Sequence, residues 1–469
     1  MLRCNQLLYV FCENEKTDNI LVSFRRGEIM GKSFRGGIHP DDRKRYTASK
    51  PIEVAPIPEK VIIPVRQHIG APCSPIVKVG DLVKKGQVIA EAQAFVSSPI
   101  HASTSGKIVA VADYPHPVFG TCMAIVIESD GQDEWVAGLP MHRDWKTLEV
   151  KEIKEIIRQS GMVGMGGATF PTHIKMSPPA EKPIHTFILN GAECEPFLTA
   201  DHRVMLEQSD KIVTGMQIAM KVLGVSKGYI GIEENKPDAI AMLRSACEGI
   251  SGLEVVSLQT KYPQGAEKTL ISVICGTDVP SGGLPMDVGV VVQNVGTVVA
   301  IADAVENGIP LIERVTTVTG GAVAEPKNIL FRIGTTFASA VALCGGFTAQ
   351  PVKIIMGGPM MGMAQRTLDV PIIKGTSGIL ALSEADTNTG AERPCIRCGR
   401  CVDVCPMGLV PNMLSILGER GAYSVAKEEY NLLDCVECGS CVYVCPAKRN
   451  IVHYVKLSKA QNAAMAAKK

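Results

Sequence analysis

Residues 395–406 read CIRCGRCVDVCP, and residues 435–446 read CVECGSCVYVCP. Both follow the pattern C-x2-C-x2-C-x3-C-P, so eight of the 16 cysteines stand in two near-copies of one run. A thiolate triplet at that spacing wraps three irons of one cubane, because the backbone between the cysteines turns back on itself. The fourth cysteine, followed by proline, points out of the loop. Zinc sites take four ligands per ion, commonly as CxxC pairs, and disulfide frameworks belong to short secreted chains. Neither explains a duplicated run that ends in Cys-Pro, so two [4Fe-4S] clusters are expected. Between the runs, NMLSILGER and SVAKEEYNLL read as two short helices. Arg397 and Arg400 lie inside the first run, where they would either raise that cluster's potential or form a solvated, partner-facing edge.

The segment resembles two-cluster ferredoxins, in which the fourth cysteine of each run serves the other cluster. The resemblance implies one cluster on Cys395, Cys398, Cys401 and Cys445 and a second on Cys435, Cys438, Cys441 and Cys405, in the α-helical variety of that domain. The other cysteines, Cys4, Cys12, Cys73, Cys122, Cys194, Cys247, Cys275 and Cys344, have no metal spacing and read as small buried apolar residues. Cys194 alone falls within a motif.

A chain of 469 residues is long enough for several compact units. Lysine and arginine number 48 against 47 acids, which leaves no long-range field for nucleic acid or anionic lipid; partners must be recognised locally. The opening MLRCNQLLYVFCENEK has no basic segment followed by a long apolar run, so the chain reads as cytosolic and reducing. The most apolar stretch, VGVVVQNVGTVVAIADAV from Val288, is interrupted by Gln293 and Asn294. It falls short of the ~20 residues of a spanning helix, so attachment to a membrane would run through a partner. Residues 1–29 form a doubtful extension. SFRRGEI before Met30 is what a purine-rich ribosome-binding site yields when translated in frame, which leaves Met1 or Met30 as the start and an extension expected to contribute nothing to folding.

Residues 30–140 are strand-like, with frequent Pro and Gly and short runs such as VIIPV and MAIVIE. Residues 141–308 alternate helical text (TLEVKEIKEIIRQSG, KPDAIAMLRSACEG) with apolar strands (HTFILNGAE, GYIGIEEN, LEVVSLQT), the pattern of an α/β layer. Residues 309–383 read as a hairpin, a helix and the strand VKIIMGGPMMG. Residues 384–455 carry the cysteines, and 456–469 read as a tail. MGGPMMGM, with no His or Cys beside it, reads as a packed glycine-rich turn rather than a metal site. VKVGDLVKKGQVIAEA and SPIHASTSGKIVAV resemble the two halves of a biotinyl/lipoyl-type domain. No lysine lies between Lys85 and Lys107, so that resemblance implies a barrel-sandwich fold without a swinging arm. The 309–383 unit resembles the SLBB β-grasp module.

The helical segment at 147–161 leads into SGMVGMGGATFPTHIK, a glycine-rich loop whose N–H groups can approach a phosphate. Then follow ILNGAECEPFLTADHRVM, GYIGIEEN, YPQGAEKTLI and VVQNVGTV, in that order. The ordered set resembles the flavin- and NADH-binding subunit of respiratory complex I. It implies a Rossmann-like FMN domain in which Gly164, Gly166, Gly167, Ala168, Phe170 and Lys175 line the flavin and its phosphate, with Lys175 as charge partner. Asn190, Glu193, Glu234, Asn294 and Thr297 would complete the pocket, and Glu195 would be the catalytic acid beside the nicotinamide nucleotide. The chain departs from that pattern at Ala192, where the family has aspartate, and at Gly296, where it has glutamate. Read from the residues alone, Glu193 and Glu195 would also serve as an acid pair at the start of the helix in FLTADHRVM.

With FRGGIHPDDRK in front, nearly the whole chain from Phe34 to Val455 resembles the C subunits of Rnf (Rsx) membrane electron-transport complexes. The resemblance implies a peripheral bacterial subunit, on the cytoplasmic face of the inner membrane, of an ion-translocating oxidoreductase. It would exchange electrons between NAD(H) and ferredoxin through FMN and two [4Fe-4S] clusters. Its partners would be other Rnf subunits, integral membrane subunits among them, with ferredoxin met through a partner subunit. The competing readings are a soluble reductase resembling the cobalamin reductases and a non-catalytic electron-wiring scaffold. Whether sodium or protons move, and in which direction electrons flow, belongs to other subunits.

Overall fold

The structure, a computed structural model, describes residues 32–387 and 390–467; the 1–29 extension and Met30 lie outside them. Among the described residues no helix is long and apolar enough to cross a membrane.

The barrel-sandwich unit is built from an antiparallel sheet in the order Lys60–Pro64, Gly120–Ser129, Gly106–His116, Leu82–Val83, with a second sheet of three short strands. Val61, Ile63, Ile89, Ile100, Ile108, Ile125 and Ile127 fill the space between them. Each such side chain contributes roughly 1.5–3 kcal/mol by leaving water.

The next unit opens with the helix Val150–Gln159, whose Glu149–Glu152 capping box fixes its start and whose Ile153 and Ile157 face the core. Four parallel strands follow, in the spatial order Leu253–Leu258, Gly228–Glu233, Thr186–Asn190, Val290–Asn294. The order reverses between Thr186–Asn190 and Val290–Asn294. In an open parallel sheet that reversal leaves a crevice beyond the carboxyl ends of the two strands, and the glycine loop, the acidic turn and Asn294 all stand there.

The β-grasp unit is a six-stranded sheet in the order Ile52–Val54, Lys327–Arg332, Glu313–Thr319, Gly378–Leu382, Lys353–Met356, Met363–Gln365, covered by the helix Phe337–Ala342. Ile52–Val54 comes from the stretch expected to belong wholly to the first unit. It pairs in parallel with Lys327–Arg332, Ile52 opposite Asn328, so the sheet borrows an edge strand from elsewhere in the chain.

In the cysteine segment the two short helices are Pro411–Glu419 and Tyr423–Glu428. The tail expected from residue 456 is instead part of the helix Ile451–Ala467, which runs straight through the 455/456 boundary. Val455 and Ser458 are buried along it, and Lys459 Nζ donates to Cys435 O at 2.7 Å, so the helix backs a cysteine loop. Its alanine-rich text carries no apolar stripe, which is why the sequence alone reads as a tail.

Candidate functional site

The glycine loop is closed by Gly164 N–H donating to Phe170 O at 2.9 Å, with Val163 opposite Pro171. Gly166, Gly167 and Ala168 stand exposed between these ends. Gly167 has φ +69° and open space where a Cβ would project, while a Cβ on Gly166 would come to 3.3 Å from Asn294 Cβ. The loop is anchored on its inner side only: Met165 N–H donates to Thr297 Oγ1 at 2.9 Å, and Met165 O accepts from Arg314 Nη2 at 2.8 Å. Asn294 caps the helix Val295–Asn307, accepting from Gly296 N–H at 2.9 Å, and its amide donates to Asp201 Oδ2 at 2.6 Å. The loop's free face, the capped helix start and the end of Thr186–Asn190 therefore share one crevice.

Across the crevice, Asn190 donates to Gly265 O at 2.8 Å, tying the first strand to the loop 262–267. In that loop Gln264 is fully buried with neither carboxamide atom partnered. Buried amides are ordinarily satisfied by protein, ordered water or a bound group. Lys175, expected as the phosphate's charge partner, is paired at 2.5 Å with Glu267 at the end of the same loop, and both remain partly exposed.

The two acids of the motif part company. Glu193, in the left-handed region at φ 42°, turns back to accept from the Asp201 and His202 N–H groups at 2.7 and 3.1 Å, capping the helix Ala200–Glu207. That is the helix-start role the residues alone allow. Glu195 instead reaches out of its own domain: Oε1 accepts from Met361 N–H at 2.9 Å and Oε2 from Met360 N–H at 3.1 Å, and Oε1 also lies 3.3 Å from the Tyr262 hydroxyl oxygen. Both oxygens thus have partners within the chain, supplied by the glycine-rich turn 356–363. Glu234 is exposed; its neighbour Glu233 is the buried acid, 3.2 Å from the fully buried Lys236.

Several buried charges here have no signal in the sequence. Lys44 Nζ donates to Glu193 O at 2.8 Å and Glu195 O at 3.1 Å, and it also contacts Leu198 O. Lys236 Nζ donates to Ala192 O at 2.7 Å. Burial holds the Lys44 ammonium below its usual range and lifts the Glu195 and Glu233 carboxyls. Burial and the nearby Glu193 push Asp201 up to about 6, against the pull of Arg314 and Asn294. The departures from the complex I pattern are accommodated by packing. A side chain at Gly296 would meet Arg314 Nη1 at 2.8 Å, and Ala192 is fully buried against Gly265.

The cysteines form two chambers. One is lined by Cys395, Cys398, Cys401 and Cys445. The other is lined by Cys405, Cys435, Cys438 and Cys441. Each takes three cysteines from one run and the fourth from the other, the partition implied by the ferredoxin resemblance. Backbone N–H groups of Arg397, Glu437, Leu409 and Arg449 point at Cys395, Cys435, Cys405 and Cys445 Sγ at 3.4–3.5 Å, the donor set that stabilises cluster sulfurs. Among the described residues no three His, Cys, Asp or Glu converge on a point that would hold a single ion; the sulfurs ring a space instead. Burial pushes the Cys435 thiol up to about 11 and raises Cys401, Cys405 and Cys441 as well. Thiols so desolvated become thiolates by coordinating metal.

Crevice and chambers are adjacent. Tyr262, whose hydroxyl contacts Glu195, also donates to Cys438 O at 2.8 Å. Ile38, Tyr262 and Cys438 form a buried cluster with Cys194, Met360 and Val404 around them. The N-terminal FRGGIHP text is the staple. Gly37 N–H donates to Val404 O, Ile38 exchanges hydrogen bonds with Tyr262, and Gly36, at φ +75°, lies so close to Cys405 that a Cβ would meet its carbonyl at 2.8 Å. The chamber holding Cys438 is therefore proximal to the crevice, and the one holding Cys398 is distal.

Comparison with known proteins agrees with this anatomy. The RnfC barrel sandwich hybrid domain family matches residues 32–132, the Nuo51 FMN-binding domain 157–303, the SLBB domain 315–364 and the 4Fe-4S dicluster domain 390–446. The chain is 67% identical over 435 residues to the C subunit of the proton-translocating ferredoxin:NAD(+) oxidoreductase complex of Clostridium ljungdahlii, covering 93% of this chain and 95% of that one. It is 50% identical to the C subunit of the Na(+)-translocating ferredoxin:NAD(+) oxidoreductase complex of Acetobacterium woodii, covering 92% and 97%. It is 44% identical to the C subunit of the ion-translocating oxidoreductase complex of Rhodobacter capsulatus, covering 82% and 74%. A crystal structure of an NAD+-reducing [NiFe]-hydrogenase superposes with a TM-score of 0.50 at 19% identity, over 68% of this chain and 64% of that one, a likeness of fold.

Proposed function

The chain belongs to the family of C subunits of Rnf-type ion-translocating oxidoreductase complexes, and from that premise we propose that it is the NAD(H)-facing electron-transfer subunit of such a complex. The observation that carries the reading is the contiguity of crevice and proximal chamber through Tyr262 and Cys438, with the distal chamber joined to the proximal one by the two runs, each of which lines both. When bound, FMN exchanges a hydride with NAD(H) and single electrons with iron–sulfur clusters, which carry one electron each.

The protein's own contribution is positioning. Gly166, Gly167 and Ala168 offer backbone at the loop's free face, Gly164 and Phe170 close the loop beneath them, and the start of the helix Val295–Asn307 adds the positive end of a helix dipole beside it. Thr297 and Arg314 hold that loop from behind, and Asn294 caps the helix beside it and bonds Asp201. Lys175, with Glu267, supplies charge at the rim, and Asn190, Glu193 and Glu234 belong to the crevice's acidic side. Glu195 acts chiefly as a positioning residue, fixing the 356–363 turn and Tyr262 against the Cys438 loop; a contact with the nicotinamide nucleotide would share a carboxylate already engaged. The other Rnf subunits, integral membrane subunits among them, would hold the chain at the cytoplasmic membrane face, and ferredoxin would exchange electrons through one of them.

Anaerobic addition of NADH should bleach the bound flavin, and tagged protein should bring down membrane subunits from its native host. A flavin that NADH does not reduce would favour the wiring-scaffold reading, and purification free of membrane subunits would favour a soluble reductase.

A further inference from the structure

The two cysteine runs are near-copies in backbone as well as sequence. Arg397 and Glu437 have φ of 55° and 58°, Gly399 and Gly439 of 79° and 81°, and each run continues into a four-residue helix, Arg400–Asp403 or Ser440–Tyr443. Their surroundings differ completely. In the second run Cys438 is 7% exposed, its carbonyl accepts from Tyr262, Gly439 lies against Met360 O, and Glu437 is paired with Lys459 at 2.7 Å. This face is the one through which the proximal chamber meets the rest of the molecule. In the first run the equivalent face is bare. Cys398 is exposed, Ile396 is 68% exposed, and Arg397 and Arg400 are exposed. Among the described residues neither guanidinium has an ion-pair partner. Arg449, behind the chamber, is already neutralised by Glu392 and Glu419, and Asp403 is the one acid within the run.

We propose that this bare face, Ile396–Arg400 around Cys398, is the docking surface for a separate redox protein that presents an acidic rim around a one-electron centre. The proposal rests on the reading of the chambers as cluster sites. Where the second run offers an acid and is covered from within, the first offers exposed Ile396 followed by two exposed arginines and is covered by nothing described. With a formal net charge of +1, the chain has no global field to steer such a partner; two unpaired guanidiniums beside an exposed cysteine supply a local one. A single electron crosses the contact, and no bond is made or broken.

The test uses the full chain with both clusters, reduced with dithionite so that NADH chemistry plays no part, and two one-electron acceptors of opposite surface charge. Plastocyanin has an acidic docking patch; cytochrome c has a basic one. At low ionic strength wild type should reduce plastocyanin faster than Arg397→Glu/Arg400→Glu does, by roughly tenfold, with the order inverted for cytochrome c, and both differences should collapse in high salt. Redox-inert zinc-substituted plastocyanin should show the same loss of binding in NMR titrations. Lys151→Glu, on the remote helix Val150–Gln159, should change neither rate. EPR separates the premises: absent cluster signals in reduced wild type would fault the chamber reading and take the docking proposal with it. Intact signals with unchanged acceptor preference would overturn the docking face alone.

Discussion

Glu195 holds both carboxylate oxygens against the N–H groups of Met360 and Met361, with the Tyr262 hydroxyl oxygen 3.3 Å from one of them. Glu195→Gln turns one oxygen into an N–H donor facing donors, at a cost of about 1–3 kcal/mol for the unsatisfied group. The expected outcome is retained FMN and near-normal flavin reduction by NADH, followed by slower cluster reduction, read by stopped-flow absorbance. Slow flavin reduction with normal onward transfer would return Glu195 to the nicotinamide pocket. Lys175→Ala is expected to weaken FMN retention several-fold on dialysis, because the rim loses its cation and leaves Glu267 as an uncompensated negative charge; unchanged flavin content would put the phosphate elsewhere. The glycine loop was legible because close backbone approach is written in residue type, whereas Asn294 and Thr297 entered only by resemblance, and their capping and loop-anchoring contacts show only in the fold. Lys44, Lys236 and Arg314 were not legible, since a lysine or arginine destined for burial looks like any surface cation until the fold brings carbonyls and acids to it.

The cysteine runs show the same contrast one level up. Their spacing points to two three-cysteine loops, and the crossing of Cys405 and Cys445 is what the resemblance to two-cluster ferredoxins implies, in keeping with the lining of the two chambers. Cys405→Ser should accordingly abolish the EPR signal of the cluster on Cys435, Cys438 and Cys441 while sparing the one beside it in sequence. Loss of the signal on Cys395, Cys398 and Cys401 instead would break the crossed assignment. Gly36→Val tests the N-terminal staple. Its Cβ would strike Cys405 O and its φ is left-handed, so the proximal signal should be perturbed with the flavin retained. The strands and helices of the α/β unit were readable from periodicity. The edge strand Ile52–Val54 and the helix through residues 456–467 were not, because the first is recruited by a distant partner strand and the second carries no apolar stripe.

At the scale of the whole molecule the units are locked together by buried polar contacts that no local pattern announces. Lys374, in the β-grasp unit, is 1% exposed and donates to Pro99 O at 3.1 Å and Gly161 O at 2.7 Å, joining three units at one ammonium. Burial lowers it from 10.5 to about 8. Between those values the unfolded chain binds a proton that the folded one has released, so folding stability from this group should rise with pH across that window, on the order of 3 kcal/mol in all, and be flat below it. Denaturant titrations across the window should show that slope in wild type and lose it in Lys374→Met; a slope that survives would place its origin elsewhere. The central claim is the path itself, from crevice to proximal chamber to distal chamber. Anaerobic mixing of NADH with Cys405→Ser protein, followed by freeze-quench EPR and flavin absorbance, tests it most directly. The expected result is a flavin that bleaches as in wild type beside a distal cluster that stays oxidised. Reduction of the distal cluster at the wild-type rate would contradict the path.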